Sequence, residues 1–154
     1  MEINVLIEEE FEKYLEASWL QSLAEQVLTL QDVGLEAELG LVITSQERVR
    51  ELNRSYRGKD TPTDVLAFST LSTAAESSPF ILPPDGLLHL GEVIISYPQA
   101  VIQAGEQGHS IKEEIAILIT HGILHLLGFE DEEPELKKQM QAREQEILRR
   151  TSIE

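Results

Sequence analysis

Cysteine is absent from the 154-residue chain. Disulfides and thiolate metal ligands are therefore excluded, so a metal site would have to use histidine, aspartate, glutamate or backbone oxygen. Long apolar runs are also missing, and none reaches the roughly 18 residues that a transmembrane helix needs. The N-terminus, MEINVLIEEEFEKYLE, is acidic, whereas a secretory signal begins with positive charge followed by an apolar stretch. These absences predict a cytoplasmic protein without a membrane partner.

Positive charge is scarce, because 12 Lys and Arg residues stand against 28 Asp and Glu residues and give a formal net charge of −16. This balance argues against a nucleic-acid partner, since phosphate binding depends on Lys and Arg. The cations are unevenly distributed, however. Five of them fall within twelve residues: Arg48, Arg50, Arg54, Arg57 and Lys59. The cluster fits either an ordinary solvated helix face, the commoner case, or a local basic patch.

The hydrophobic pattern predicts one α+β domain over residues 1–154, with a composition (42% hydrophobic residues) that is ordinary for a globular protein. Alternating apolar residues predict strands at 3–9, 36–45, 63–70 and 87–96. Helical spacing and end signals predict helices at 12–31, 44–56, 98–107, 110–127 and 134–151. The order β-α-β-α-β-β-α-α-α predicts a mixed four-stranded sheet packed with about five helices.

Local signals add detail to this fold. Thr44 and Ser110 each precede a glutamate by three residues, which is the spacing of a capping box at a helix start. Gly91 predicts a β-bulge, and Trp19 is predicted to lie in the core. Residues 72–85 contain three prolines and four Ser or Thr residues. They predict a long loop, either a lid or an ordered surface excursion.

The run HGILHLLGFED, residues 121–131, carries the strongest chemical signal. His121 and His125 lie about 40° apart on a helical wheel, so both imidazoles leave the same face of a helix. A bare pair of this kind fits a metal site and two hydrogen-bonded core histidines equally well. Gly128 at the helix end can take a left-handed conformation and turn the chain back, which would bring Asp131 beside the imidazoles. The spacing therefore predicts a metal site of His121, His125 and Asp131.

The metzincin proteases have the same spacing, H-E-x-x-H-x-x-G-x-x-H, but two residue types differ here. Their general base, the glutamate beside the first histidine, is replaced by Gly122, which cannot transfer a proton. A glycine inside a helix costs about 1 kcal/mol relative to alanine, so we expect a compensating close approach of backbone or substrate. Asp131 is a competent Zn²⁺ ligand that lowers the charge of the site, which predicts weaker Lewis acidity and tolerance of other divalent metals.

Three segments between about residues 36 and 131 point together to one known family. Residues 121–131 follow its pattern H-G-x-L-H-L-x-G-[YF]-x-H except at the last position. Residues 52–69, LNRSYRGKDTPTDVLAFS, are similar to L-N-x-x-Y-R-x-K-D-x-P-T-D-V-L-S-F, and residues 90–96, LGEVIIS, are similar to G-D-I-x-I-S. The chain thus resembles the YbeY endoribonuclease and rRNA maturation factor family.

The resemblance implies a single-strand-specific, metal-dependent endoribonuclease. Its substrate would be the 3′ end of 16S rRNA, and it would take part in late-stage 70S ribosome quality control. It implies one Zn²⁺ per chain at His121, His125 and residue 131, where Asp131 replaces the family's histidine. Glu130 or a water molecule is the alternative third ligand. The implied partners are single-stranded RNA and the ribosome, with no DNA and no membrane, and the oligomeric state is not predicted.

Arg57 matches the arginine of the family's Y-R-x-K-D block and would grip the scissile phosphate. Together with the two histidines it is a predicted catalytic residue. Lys59, Arg54 and Arg50 would follow the RNA backbone. The sequence leaves open whether hydroxide or the RNA's own 2′-hydroxyl supplies the base. It also leaves open a metal-dependent hydrolase of another substrate, such as a peptide, and a non-enzymatic ribosome-assembly factor with a structural metal.

The other polar residues have simpler interpretations. Those within 60–64 are predicted to build the turn into the third strand. His89 is predicted to be structural and His109 to be an exposed loop residue. Glu114 either supports a metal ligand or is an ordinary solvated glutamate. The acidic residues within 130–133 would repel RNA, so the substrate is expected to enter from the other side.

Overall fold

The computed structural model describes residues 1–34, 36–58, 63–69 and 88–151, with the side chain of Arg57 outside the description. Within these residues the strands are β1 (Glu2–Ile7), β2 (Ala37–Thr44), β3 (Val65–Ser69) and β4 (Leu88–Ser96). The α-helices are α1 (Ala17–Leu30), α2 (Gln46–Arg57), α3 (Tyr97–Gln107), α4 (Ile111–Leu126) and α5 (Pro134–Arg150). The predicted α+β class and element order are confirmed. The predicted loop at 72–85 lies outside the described residues.

The four strands form one mixed sheet in the order β1-β2-β4-β3. β2 runs parallel to both β1 and β4, and β3 runs antiparallel to β4. The predicted bulge is confirmed, because the register passes from Glu38 opposite His89 to Leu39 opposite Gly91. Gly91 has a φ of 132°, and a Cβ there would collide with the Phe68 carbonyl oxygen of β3. Only glycine allows β3 and β4 to pair at this point.

Helix α4 is the central helix of the fold and contacts α1, α3, α5, β3 and β4. Ile115, Ile119 and Ile123 follow at spacings of four and are fully buried. Gly122 lies where α4 crosses β4, and a Cβ at this position would stand 2.6 Å from Val93 Cγ1 and 3.0 Å from Val93 Cγ2. The close approach expected for this glycine is therefore an approach of helix to strand.

The start of α4 is capped as predicted. Ser110 Oγ accepts a hydrogen bond from the Glu113 amide at 3.1 Å, and the Glu113 carboxylate accepts one from the Ser110 amide at 3.2 Å. The predicted N-terminal cap of α2 was wrong by one residue. Ser45 is the cap and accepts from the Arg48 amide at 3.1 Å. Thr44 remains in β2, where its buried hydroxyl donates to the Glu8 carboxylate.

The first helix begins later than predicted. Glu9–Phe11 forms a short 3-10 helix, and α1 begins at Ala17 after an extended residue 16. The apolar residues before it are satisfied by packing outside an α-helix: Leu15 is buried, and the Tyr14 ring stacks on Tyr97 at 5.3 Å. Trp19 is partly buried against the core, as predicted. None of the helices in the described part of the chain is long and apolar enough to cross a membrane.

Candidate active site

The chain reverses direction directly after α4, and this turn positions the site. The Phe129 amide donates to the Leu124 carbonyl at 3.0 Å, and the Gly128 amide donates to the His125 carbonyl at 3.1 Å. These two bonds define a Schellman motif, whose left-handed position is occupied by Gly128 at a φ of 102°. The predicted reversal is confirmed, and it returns Asp131 to the last turns of α4.

His121, His125 and Asp131 come together at this turn, with ligand atoms all within 4.8 Å of one another. The two imidazole Nε2 atoms are 3.1 Å apart. Asp131 Oδ2 lies 3.8 Å from Nε2 of His121 and 3.7 Å from Nε2 of His125. Ligands held tetrahedrally at about 2.0–2.2 Å from a zinc ion would lie roughly 3.3–3.6 Å apart. The three observed separations fall within about 0.2 Å of this range, so small side-chain adjustments would bring the atoms to one face of such a tetrahedron.

The outer nitrogens of both rings have fixed partners. His125 Nδ1 donates to the Phe129 carbonyl at 3.0 Å, and His121 Nδ1 donates to Glu144 Oε1 at 2.5 Å. In the neutral rings each Nε2 therefore carries a lone pair, so the 3.1 Å approach of the two atoms requires either a metal ion that both bind or a proton on one ring that is donated to the other. Asp131 Oδ2 beside both Nε2 atoms supplies a third candidate ligand, which a pair of hydrogen-bonded core histidines would not need. A carboxylate behind a ligating histidine is a recurrent feature of zinc sites.

Glu144 is the site residue that sequence reasoning missed. It belongs to α5, 23 residues beyond His121, and its side chain is 16% exposed. A signal was present, because Glu144 lies four residues after Met140 and three before Ile147, the two buried residues of α5. An acidic residue in the apolar stripe of a helix requires a partner in the core.

The surroundings of His121 raise its pKa above the ordinary value. The hydrogen bond to Glu144 is the largest cause, and partial burial opposes it. The negative charges of Glu144, Asp131 and Asp64 raise the pKa further. In the absence of a metal, His121 therefore holds a proton more strongly than a solvated histidine does.

A groove of about 770 Å³ opens in front of the three ligand residues. One wall is the acidic turn, defined as Glu130, Asp131 and Glu132. Residues of β3 and Tyr56, near the end of α2, also line it. The groove thus joins the metal-ligand cluster to the helix that carries the predicted basic residues.

The predicted RNA-binding residues are placed only in part. Arg50 and Arg54 are exposed and lie one turn apart on α2. Neither lines the groove itself. Arg57 is the last residue of α2, but its side chain, like all of Lys59, lies outside the described part of the chain. The roles of these four residues stay predictions.

Asp64 has the predicted turn role and also lines the groove. Its Oδ1 accepts from the Val65 amide at 2.8 Å and from the Thr63 hydroxyl at 3.2 Å, while its Oδ2 accepts from Gln103 at 3.1 Å. Residues 59–62 lie outside the description. His89 forms a cross-strand pair with Glu38, which agrees with a structural role.

Two predictions about the start of α4 were wrong. Glu114 is only 4% exposed and binds neither metal ligand, since its carboxylate accepts from Gln103 at 2.9 Å and from His109 Nε2 at 2.6 Å. His109 is not an exposed loop residue, because this bond holds its side chain at 22% exposure. Sequence spacing placed Glu114 on the same side of α4 as the two histidines, but its carboxylate instead binds Gln103 of α3.

Comparison with known proteins agrees with the sequence motifs. The model of the family described as endoribonuclease YbeY matches residues 4–152. The chain belongs to this family. The endoribonuclease YbeY of Dehalococcoides mccartyi (strain BAV1) is 49% identical over 137 residues, which cover 86% of each chain. The endoribonuclease YbeY of Roseiflexus sp. (strain RS-1) is 38% identical over 96% of this chain and 91% of its own.

A solved structure supports the YbeY-family fold as well. The solution structure of TM1509 from Thermotoga maritima superposes with a TM-score of 0.61 at 26% sequence identity. The match covers 95% of this chain and 86% of that one. The resemblance inferred from the HGILHLLGFED and LNRSYRGKDTPTDVLAFS segments is therefore confirmed at the level of family and fold.

Proposed function

We propose that this chain is a single-strand-specific, metal-dependent endoribonuclease that matures the 3′ end of 16S rRNA and takes part in late 70S ribosome quality control. Membership of the endoribonuclease YbeY family supports RNA cleavage. The observation that supports metal dependence is the convergence of ligand atoms of His121, His125 and Asp131 within 4.8 Å of one another. We also propose a cytoplasmic location, with single-stranded RNA and the ribosome as partners and no role for DNA or a membrane.

One Zn²⁺ per chain, or another divalent ion, would be held by His121, His125 and Asp131. When bound, such an ion supplies Lewis acidity for attack on a phosphate ester. Three protein ligands leave a fourth position open, which is typical of catalytic rather than structural zinc sites. The groove of about 770 Å³ in front of these residues gives a substrate access to that position.

The protein residues around the ligands orient them. Glu144 holds the proton of His121 at Nδ1, and the Phe129 carbonyl holds that of His125 at Nδ1. Both Nε2 lone pairs are thereby kept directed at one point. Asp131 completes the set, and the remaining carboxylates of the acidic turn repel neighbouring phosphates, so we propose that the strand approaches the site away from this turn.

Arg57 is proposed to bind the scissile phosphate and to stabilise the charge that develops on it during cleavage. It follows Tyr56, which lines the groove, so its backbone is adjacent to the site. Lys59, Arg54 and Arg50 are proposed to hold neighbouring phosphates of the strand. Peptide hydrolysis is the weaker alternative, since Gly122, which packs on Val93, stands where the related proteases have their general base.

The test is cleavage of an unstructured, fluorescently labelled RNA by zinc-loaded protein, with chelator and a peptide mixture as controls. Arg57→Ala should lower kcat/KM by about 100-fold or more, as expected for loss of a charge-stabilising donor, while zinc content stays unchanged. Arg48→Ala is the matched control, because Arg48 lies on the same helix and pairs with Glu51 at 3.4 Å. Normal cleavage by Arg57→Ala would remove Arg57 from the mechanism, and cleavage of peptide but not RNA would overturn the proposed function.

A further inference from the structure

Tyr56 is an exposed aromatic residue in the groove. It lies one residue before the end of α2, and 71% of its surface is exposed. A contact with Phe68 of β3 supports its ring, with ring centres 5.2 Å apart and planes inclined at 57°. Exposure of this extent combined with a fixed aromatic neighbour leaves most of the ring available to a ligand.

The position of Tyr56 distinguishes it from an ordinary surface tyrosine. It lines the same groove as His121, His125 and Asp131. Three apolar, partly buried residues of β3 also line the groove: Phe68 packs on the α2 face of the sheet beside Tyr56, whereas Val65 and Ala67 pack into the main core on the face of α4. The apolar lining therefore extends across β3 between Tyr56 and the candidate ligands. Tyr14 is also 52% exposed, but its ring stacks on Tyr97 and does not line this groove.

The groove therefore contains two chemically different parts. The ligand cluster would bind a phosphate oxygen once it holds a metal ion, and the Tyr56–Phe68 pair suits a flat apolar ring. An unpaired nucleotide carries both groups, whereas in a duplex the base is stacked and paired within the helix and cannot reach a protein ring. The acidic turn disfavours additional phosphates beside it.

We infer that Tyr56, supported by Phe68, is a stacking site for an unpaired nucleobase of the RNA strand whose phosphate occupies the His121–His125–Asp131 site. The inference rests on the proposed function and deepens it, because it names a residue that selects single strands. A stacking ring accepts any base, so the site provides preference for unpaired RNA without reading its sequence.

The experiment measures KM and kcat of zinc-loaded protein on an unstructured RNA oligonucleotide. Tyr56→Ala and Tyr56→Leu should raise KM by about 5- to 100-fold, the range expected for loss of one base–aromatic stack. Tyr56→Phe keeps the ring and should stay within about twofold of wild type. Leucine preserves an apolar side chain and distinguishes loss of the ring from loss of bulk. Tyr14→Ala is the matched control and should leave KM unchanged.

An abasic nucleotide moved along the oligonucleotide gives an independent readout. In wild type, one abasic position near the cleavage site should raise KM by the same factor as Tyr56→Ala. When Tyr56→Ala protein is given the oligonucleotide with that abasic nucleotide, KM should rise no further, because both changes remove the same contact. Circular dichroism and zinc content of each variant confirm that fold and metal site persist.

The outcomes separate the two proposals. If wild type cleaves RNA and Tyr56→Leu cleaves it with the wild-type KM, the stacking site is wrong while the endoribonuclease function stands. Additive effects of Tyr56→Ala and the abasic nucleotide also overturn the stacking site. If wild type leaves RNA intact, the proposed function fails and the stacking site fails with it.

Discussion

Replacement of Gly122 by alanine tests how closely the helix that carries His121 and His125 must approach the sheet. The new Cβ would lie 2.6 Å and 3.0 Å from the two methyl carbons of Val93. Overpacking of this kind costs about 1–3 kcal/mol, while alanine in a helix gains about 1 kcal/mol over glycine. We therefore expect Gly122→Ala to destabilise the protein by about 1 kcal/mol, within a range of roughly zero to 2 kcal/mol.

A second substitution isolates the contact. Val93→Ala removes both methyl groups that the new Cβ meets, so Gly122→Ala should become stabilising in that background. The coupling energy between the two positions should then be about 1 kcal/mol or more, in the sense that the double variant is more stable than the single variants predict. Gly105→Ala in α3 is the matched control, because a Cβ there meets nothing within 4 Å and should give the helix-propensity gain alone.

The assay is urea denaturation of the metal-free proteins in chelator, followed by circular dichroism, since bound metal would add its own stabilisation. Stabilisation of the wild-type background by Gly122→Ala, equal to that of Gly105→Ala and without coupling to Val93, would refute the close approach. In that case the glycine would need a different explanation, such as contact with substrate.

Three further predictions concern the polar groups around the site. Glu144→Ala should lower zinc affinity about 10- to 100-fold, because His121 loses the partner that fixes its Nδ1 proton. Competition with a chromophoric chelator measures the affinity, and Glu146→Ala on the same helix is the control. Equal zinc affinities in the two variants would exclude the role of Glu144. Glu114→Ala should destabilise the protein by about 1–3 kcal/mol, because Gln103 and His109 lose the buried carboxylate that accepts their hydrogen bonds, and it should leave zinc affinity unchanged. A drop in zinc affinity would restore a role for Glu114 at the metal. Protonated His121 should stabilise the metal-free protein fully below its ordinary pKa of about 6.5, and this stabilisation should be lost as pH rises through the raised folded-state pKa. Denaturation of wild type and His121→Asn at a series of pH values checks this. A pH-independent difference in unfolding free energy between the two proteins would contradict it.

Local sequence signals predicted most of the fold. The glycine at position 91 marked the bulge, the Ser110 cap marked the start of α4, and Gly128 marked its end, because each signal acts within a few residues. The start of α1 was misplaced since Tyr14 and Leu15 have helical spacing but pack outside a helix, against the core and Tyr97. Periodicity reports which residues are buried, and a short irregular segment can bury the same residues.

The sequence predicted the part of the candidate site that lies in α4 and the turn after it. His121, His125 and Asp131 are close in sequence, so helical geometry and one glycine were sufficient to bring them together. Glu144 was missed because it reaches His121 only through the packing of α5 on α4. The same applies to Glu114, whose partners His109 and Gln103 depend on how α3 lies against α4.

The central claim is that Asp131 completes the metal site in place of the family's histidine. The most direct measurement is zinc stoichiometry and affinity of wild type and Asp131→Ala, with Glu130→Ala as the neighbouring control. We predict one zinc per wild-type chain, unchanged in Glu130→Ala. Asp131→Ala should weaken zinc binding more than removal of a group that only supports a ligand would, which is a loss of about 10- to 100-fold. Wild-type stoichiometry and affinity in Asp131→Ala would contradict the claim.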